Sequence, residues 1–286
     1  MHYKEIQVPD HFSRHVEIYW EMYIKAGELD HLNDLLLPDC TFNIIFSDQD
    51  LFIKSAYEKT WKCVPAGVHF LGQRNTPLSF RVKKSVKVFG IRFKPFAFAR
   101  ILQIPVHKLT DQFFPLKELF QLKPFQKTCI NKILNSWESE LQYAEANRLL
   151  ESILSDSLSI DQNLRAQLNY ILDRKGVMRV QDLFTEFGVS KVTLHKHFIN
   201  KVGLSPKKVS RIWRMNYFLQ LKDTSSDENL TSLCLECGFY DQAHFIKEFK
   251  SMLGSAPREF LGQKSELLEI SRFAIQQRFS NQYDPR

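Results

Sequence analysis

Residues 180–206 read VQDLFTEFGVSKVTLHKHFINKVGLSP, and residues 230–257 read LTSLCLECGFYDQAHFIKEFKSMLGSAP. The two stretches are one design written twice. Leu183, Glu186 and Gly188 recur 50 positions later as Leu233, Glu236 and Gly238. Leu194, Phe198, Gly203 and Pro206 recur 51 positions later as Phe245, Phe249, Gly254 and Pro257. One extra residue in the second turn reconciles the offsets. Gly and Pro landing in register over this length mark a structural repeat.

Each copy carries the marks of a helix-turn-helix: an apolar-spaced helix, a Gly at the reversal, then a second helix. Gly188 and Gly238 stand where a helix must stop and a positive φ costs little. Ser190 in the first copy and Asp241 in the second are placed to accept from orphan amides at the next helix start. At helical spacing Leu194 and Phe198 share an inward face, as do Phe245 and Phe249. Val192, His195, Lys196 and Ile199 then fall outward in the first copy, and Ala243, Ile246, Lys247 and Lys250 in the second. A face mixing small apolar, hydrogen-bonding and cationic groups suits the major groove. There apolar groups meet thymine methyls, polar groups read base edges, and cations hold guanine or phosphate.

Three signatures carry a family resemblance. They are S-x-x-x-L-x-x-x-F from Ser190, G-F-x-x-x-x-x-F-x-x-x-F-K from Gly238, and G-x-x-P closing each unit. Over roughly Asn163 to Gln263 the chain resembles the DNA-binding domain of AraC-type (AraC/XylS) transcription regulators. The family's linker helix has its counterpart in Arg211 to Leu221, with Arg214 where an arginine is usual. Two positions depart from the pattern. Phe218 stands where a small residue is usual, and Ala256 replaces the usual Ser or Thr before the second Pro.

The resemblance implies base contacts from Val192, Thr193, His195 and Lys196 in the first reading helix. In the second it implies Gln242, Ala243, His244, Ile246 and Lys247. Ser190, Lys201, Ser205, Lys207 and Arg258 are the candidates for phosphate contacts. The outward residues differ between the copies, so one domain should read an asymmetric site. Reading helices one duplex turn apart, roughly 34 Å, enter successive major grooves.

The charge supports a polyanion partner for this part alone. Residues 163–264 hold 16 Lys and Arg against 10 Asp and Glu, which is +6 of the chain's net +7. No apolar run approaches the length of a membrane span, and the N-terminus lacks a basic stretch followed by an apolar core. Five cysteines make no disulfide framework in a chain of 286 residues. The expectation is a reducing cytoplasm.

The rest of the chain reads as two further parts, giving a multi-domain α+β protein. From residue 1 to 115 the pattern is β-rich. HFSRHVEIYWEMYI and LLLPDCTFNIIFSD carry strand-forming aromatic and β-branched residues. FLGQRNTPLSFRVKKSVKVFGIRFKP alternates around Phe80, Val82, Val86, Val88, Ile91 and Phe93, with breaks expected at Asn75-Thr76-Pro77 and at Gly90. KPFAFARILQIP reads as a short helix through Phe96, Ala99 and Arg100, ended by Pro105, and LTDQFFPLKELF as a helix entry.

This half is similar, through its P-D-x-x-x-x-I-x-F and G-I-R-F-x-P-x-x-x-A segments, to N-terminal sensor domains on some AraC-type regulators, which are compared with cupin-like β structures. Trp20, Phe42, Phe46, Trp61, Phe70 and Phe93 have two readings, as plain core or as the lining of a pocket.

Residues 116–160 turn helical. Ile130, Ile133, Leu134 and Trp137 form one stripe, and Leu141, Leu149, Leu150, Ile153 and Leu154 another. They are either a bridge packed on the sensor or a dimerising helix pair. SDSLSIDQN is the linker to a DNA-binding domain over residues 161–264, opened by a helix with Leu168, Ile171 and Leu172. Residues 265–286 read as a final amphipathic helix and tail whose packing partner the pattern leaves open.

Cys234 and Cys237 form a C-x-x-C on a helix with no second pair at zinc spacing, so core thiols are expected and no metal. DNA-repair methyltransferases also carry AraC-like units, but Cys40, Cys63 and Cys129 are too scattered for their zinc site. No phosphate loop, triad or paired carboxylates are evident, so neither an enzyme nor a cofactor is expected. The reading is a cytoplasmic sequence-specific transcription regulator, an activator by family habit. Its partners would be double-stranded DNA, a small-molecule effector, RNA polymerase and a second copy of itself. The competing reading is a small-molecule binding protein with a vestigial DNA module.

Overall fold

Strand-forming runs in the first part fold into two antiparallel sheets. The computed structural model describes residues 1–286 apart from 30–33, 100, 103, 137, 155–159, 225–228, 264 and 281–286. The expected linker around 155–159, the tail from 281, and Arg100 and Trp137 therefore lie outside the described residues. The strands are β1 (His2–Ile6), β2 (Val16–Ile24), β3 (Leu35–Leu36), β4 (Phe42–Ser47) and β5 (Leu51–Ser55). They continue as β6 (Lys62–Val64), β7 (Gly67–Leu71), β8 (Leu78–Arg81), β9 (Val86–Phe93) and β10 (Phe113–Pro115). One sheet has the order β1-β2-β9-β4-β7-β10 and the other β3-β8-β5-β6.

The larger sheet is covered on both faces, so its central strands are apolar throughout rather than alternating. Every residue of β4 is buried. Phe42, Ile44 and Phe46 share a core with Phe89, Ile91 and Phe93 of β9 and with two helices, α2 (Pro124–Asn135) and α3 (Ser139–Leu154). A four-residue helix α1 (Leu116–Leu119) precedes them. Ile45 and Val88 face the second sheet instead, with Trp20, Ile53 and Phe80. Ile130, Ile133, Leu149, Leu150, Ile153 and Leu154 all lie in the helix-side core, which makes α2 and α3 a lid on the sheet.

Two expectations fail here. Gly90 is not a break: it pairs with Trp20 in the middle of β9, and a Cβ there would lie 1.9 Å from the Trp20 ring. The glycine is needed because the indole lies across the strand, a close approach that a strand glycine permits. Residues 95–99 form turns rather than a helix. Phe96 and Phe98 are both buried, but in different cores, so the segment follows tertiary packing instead of helical spacing. The entry at LTDQFFPLKELF is first a strand, β10, then α1. The six aromatics divide. Trp20 lines a cavity, Phe42, Phe46, Phe70 and Phe93 are core, and Trp61 is stacked on by Arg81 at 4.6 Å.

The rest of the chain is helical: α4 (Gln162–Asp173), α5 (Val180–Phe187), α6 (Lys191–Lys201) and α7 (Pro206–Thr224). Then come α8 (Leu230–Glu236), α9 (Gln242–Leu253), α10 (Pro257–Leu261) and α11 (Glu266–Ser280). Leu168, Ile171 and Leu172 of α4 are core, as expected. The β and α parts do not keep separate cores. Leu35, Leu37, Cys40 and Phe96 join the helical cluster, and Asn216 Nδ2 donates to the Pro38 carbonyl at 3.2 Å. No helix among the described residues is long and apolar enough to cross a membrane.

Candidate nucleic-acid interface

Both helix-turn-helix units are built by the local chemistry their residues dictate. α5 stops at Gly188, whose φ of 59° lets the chain reverse without a Cβ penalty. The Ser190 Oγ then accepts from the Thr193 amide at 3.1 Å and caps α6. In the second unit Gly238 has φ 69°, and the Asp241 carboxylate accepts from the His244 amide at 2.6 Å to cap α9. Leu194 and Phe198 of α6, like Phe245 and Phe249 of α9, are buried. Phe218, the departure from the family pattern, fills space between the units, 4.5 Å from Phe245 centroid to centroid. Ala256, the other departure, leaves α10 without a side-chain cap.

α7 fixes the two reading helices to one frame. Its Arg214 donates to Glu248 of α9 at 2.7 Å and lies 4.3 Å over the Phe239 ring, and Arg211 Nε stands 3.1 Å from the same carboxylate. Burial pushes the Glu248 carboxyl up, but Arg214 and Arg211 outweigh it and hold it below the ordinary carboxylate range. α6 is tied at its far end. Asp161, the cap of α4, meets His197 at 3.2 Å and also pairs with Lys201. These are partly buried ion pairs, so they set orientation more than they add stability.

Between α6 and α9 runs a groove of about 720 Å³ floored by α7. Lys191 and His195 border it on one side, His244 and Glu248 on the other, with Lys207, Arg211 and Arg214 along its floor. Val192, Thr193, His195 and Lys196 are exposed, as are Gln242, Ala243, His244, Ile246 and Lys247. Val192 is 76% exposed, an apolar side chain that no packing demand places there. His244 turns toward its own helix, 3.5 Å from Glu248.

The five residues with expected phosphate roles are less uniform. Lys207 and Arg258 are exposed. Ser190 and Ser205 act as helix caps, Ser205 accepting from the Lys208 amide at 3.2 Å. Lys201 is engaged with Asp161.

Sequence reasoning passed over Lys191, Arg211 and Tyr240. Tyr240 is 88% exposed beside the start of α9. Its signal was a large aromatic in a turn with no inward partner. Cys234 and Cys237 are buried, their thiols pushed up to about 11 and about 12, chiefly by burial.

Residues 4–115 match a domain family of unknown function (DUF6597), and residues 183–263 match a helix-turn-helix domain family. The transcriptional activator RhaS of Escherichia fergusonii is 29% identical over 126 residues, covering 39% of this chain and 42% of that protein. RhaS of Yersinia pestis is 31% identical over 83 residues, 29% of this chain and 30% of its own length. The chain thus spans less than half the length of these curated relatives. ToxT from Vibrio cholerae, a solved structure, overlaps 85% of this chain and 97% of its own at 13% identity, with a TM-score of 0.45. Two equivalently capped helix-turn-helix units on one linking helix, with the matches to RhaS and the helix-turn-helix family, make this chain a member of the AraC-type regulator family.

Proposed function

We propose that this protein is a sequence-specific transcription regulator that binds double-stranded DNA through α6 and α9. The β-rich part, residues 1–115, senses a small molecule. Residues 116–160 connect, residues 161–264 bind DNA, and residues 265–286 follow as a terminal helix and tail. The observation that carries this reading is the shared groove: two helices with matching caps border it, joined by a helix that presents Arg211 and Arg214 to it. Val192, Thr193, His195 and Lys196 read one major groove, and Gln242, Ala243, His244, Ile246 and Lys247 the next. Lys207 and Arg258, with amides at the helix ends near Ser190 and Ser205, hold phosphates. Lys201 serves by fixing α6 to α4. The work is binding rather than turnover, and its compartment is the cytoplasm, where the duplex is.

Selection of bound fragments from random duplex, followed by salt titration, tests this. A consensus with two unlike half-sites is expected, and affinity that falls steeply with salt as counterions are released. Absence of any salt-sensitive duplex binding would remove the reading.

A further inference from the structure

The space between the two sheets is closed by the far end of the chain. An enclosed cavity of about 60 Å³ is walled by Trp20, Ile45 and Val88 and, from α11, by Leu267, Ile270 and Ala274. Its remaining lining is charged at one end. Arg74 and Arg92 are 3% and 8% exposed, and each keeps an Nε–H with no acceptor among the described residues. The acids nearby are already engaged. Asp39 takes Arg74 at 2.8 Å and Arg278 of α11 at 3.1 Å, and Glu5 takes Arg92 at 2.9 Å. Two buried donors are left over beside an apolar wall. That pattern asks for a molecule with an apolar body and an accepting head group.

α11 is a wedge with two apolar faces. Leu267 packs into the core between the sheets, while Leu268 and Ile275 join the helical core and Phe279 meets Trp213 at 5.3 Å. On the β side, Ser271 Oγ accepts from the Leu37 amide at 2.9 Å and Arg278 pairs with Glu17 at 2.8 Å. On the other, Arg272 donates to Asp223 of α7 at 2.9 Å. With α11 seated, the cavity has room for a few water-sized groups, far below the roughly 300–1,000 Å³ of ordinary ligand sites. The strand walls are joined by backbone ladders. α11 is held by side chains alone, so it is the wall that yields.

We propose that this cavity is the effector site, that its ligand is a small apolar molecule whose acceptor group meets Arg74 and Arg92, and that the ligand enters by displacing α11, loosening that helix's hold on α7. The inference rests on the reading of this chain as an effector-responsive regulator. Ligand and helix compete for one space, so each weakens the other by the same factor.

The test uses the intact chain and 8-anilinonaphthalene-1-sulfonate, which carries apolar rings and an accepting sulfonate. At saturating probe, amides of residues 267–278 should exchange hydrogen at least tenfold faster, with those of α4 unchanged. Arg278→Ala should bind the probe at least fivefold tighter, and adding Val88→Trp, which fills the cavity from the sheet, should return binding to the starting level. Probe bound with α11 still protected overturns the proposal, as does tight binding that survives Val88→Trp, or binding by neither form. Should Arg278→Ala unfold, the exchange pattern of the unmodified chain decides. Duplex binding by the unmodified chain is measured apart. Its absence defeats the regulator reading, whereas an unresponsive α11 beside normal duplex binding defeats this inference alone.

Discussion

The Tyr57 hydroxyl donates to the Ser251 carbonyl oxygen at 2.6 Å, joining the turn after β5 to the C-terminal end of α9. Ser251 lies in the last turn of α9, where carbonyls lack helical partners, so the contact satisfies a group that would otherwise face water. Tyr57 also borders the hollow formed by Ala243, Ile246, Lys247 and Lys250. The outward face of α9 is therefore shared with the β-rich part, whereas α6 presents its face to solvent.

A duplex seated on α9 has to displace that turn. Tyr57→Ala should tighten binding to a selected duplex about 2- to 10-fold. That range corresponds to the ~0.5–1.5 kcal/mol net worth of one hydrogen bond, and a single contact shifts the balance by no more than its own energy. Fluorescence anisotropy on labelled duplex measures it. Unchanged or weaker binding would show that the contact does not compete with DNA.

Lys196→Ala and Lys247→Ala separate base reading from phosphate holding. A lysine that reads a base should cost about 1–3 kcal/mol on the selected duplex and little on a scrambled one. One that holds a phosphate should weaken both alike and lower the salt slope by about one. Unchanged affinity in both variants and their combination would place neither lysine in the interface.

What could be read in advance was chemistry that acts over a few residues. Ser190, Asp241, Gly188 and Gly238 do their work within one turn, so their spacing alone announced both units. What escaped depends on partners distant in sequence. Gly90 looked like a break because the Trp20 ring it admits lies 70 positions earlier in the chain. Phe96 and Phe98 looked helical because their separate cores are assembled by other elements. α11 gave no clear side to bury because it buries both, and its ties to Leu37, Asp39 and Glu17 span more than 200 residues. Tyr57 carried no local signal at all.

The two turn glycines predict unequal damage. Gly238 has φ 69°, and a Cβ there would lie 2.7 Å from Val177 Cγ1. Gly238→Val adds the left-handed penalty, about 1–2 kcal/mol and worse for a β-branched residue, to an overpacking cost of ~1–3 kcal/mol. Gly188 has φ 59° with nothing within 4 Å, so Gly188→Ala should cost only the conformational part, ~1–2 kcal/mol. Urea unfolding of the two variants measures the difference. Equal losses would mean that Val177 yields and the contact is not a constraint.

Mild acid should destabilise the protein through histidines rather than carboxylates. His15 and His69 are buried in the β-rich part. Burial holds both below the ordinary histidine range; Lys94 and Arg14 add to the effect on His15, while Glu118 partly opposes it on His69. The unfolded chain takes up these protons near the ordinary value of about 6.5 and the folded chain only at lower pH. Stability therefore rises with pH across that window and falls as acid is added. Asp39, Asp161 and Glu248 work in the opposite range. Their carboxyls are held low, so the stability they contribute is present above the ordinary carboxylate pKa and is lost only as pH falls well below it. A comparison of pH 7.5 with pH 5.5 thus isolates the histidines. The urea midpoint should drop over that interval, and His15→Gln with His69→Gln should drop less, the remainder coming from His197, which burial and Lys201 also hold low. An equal drop in the double variant would assign the acid sensitivity elsewhere.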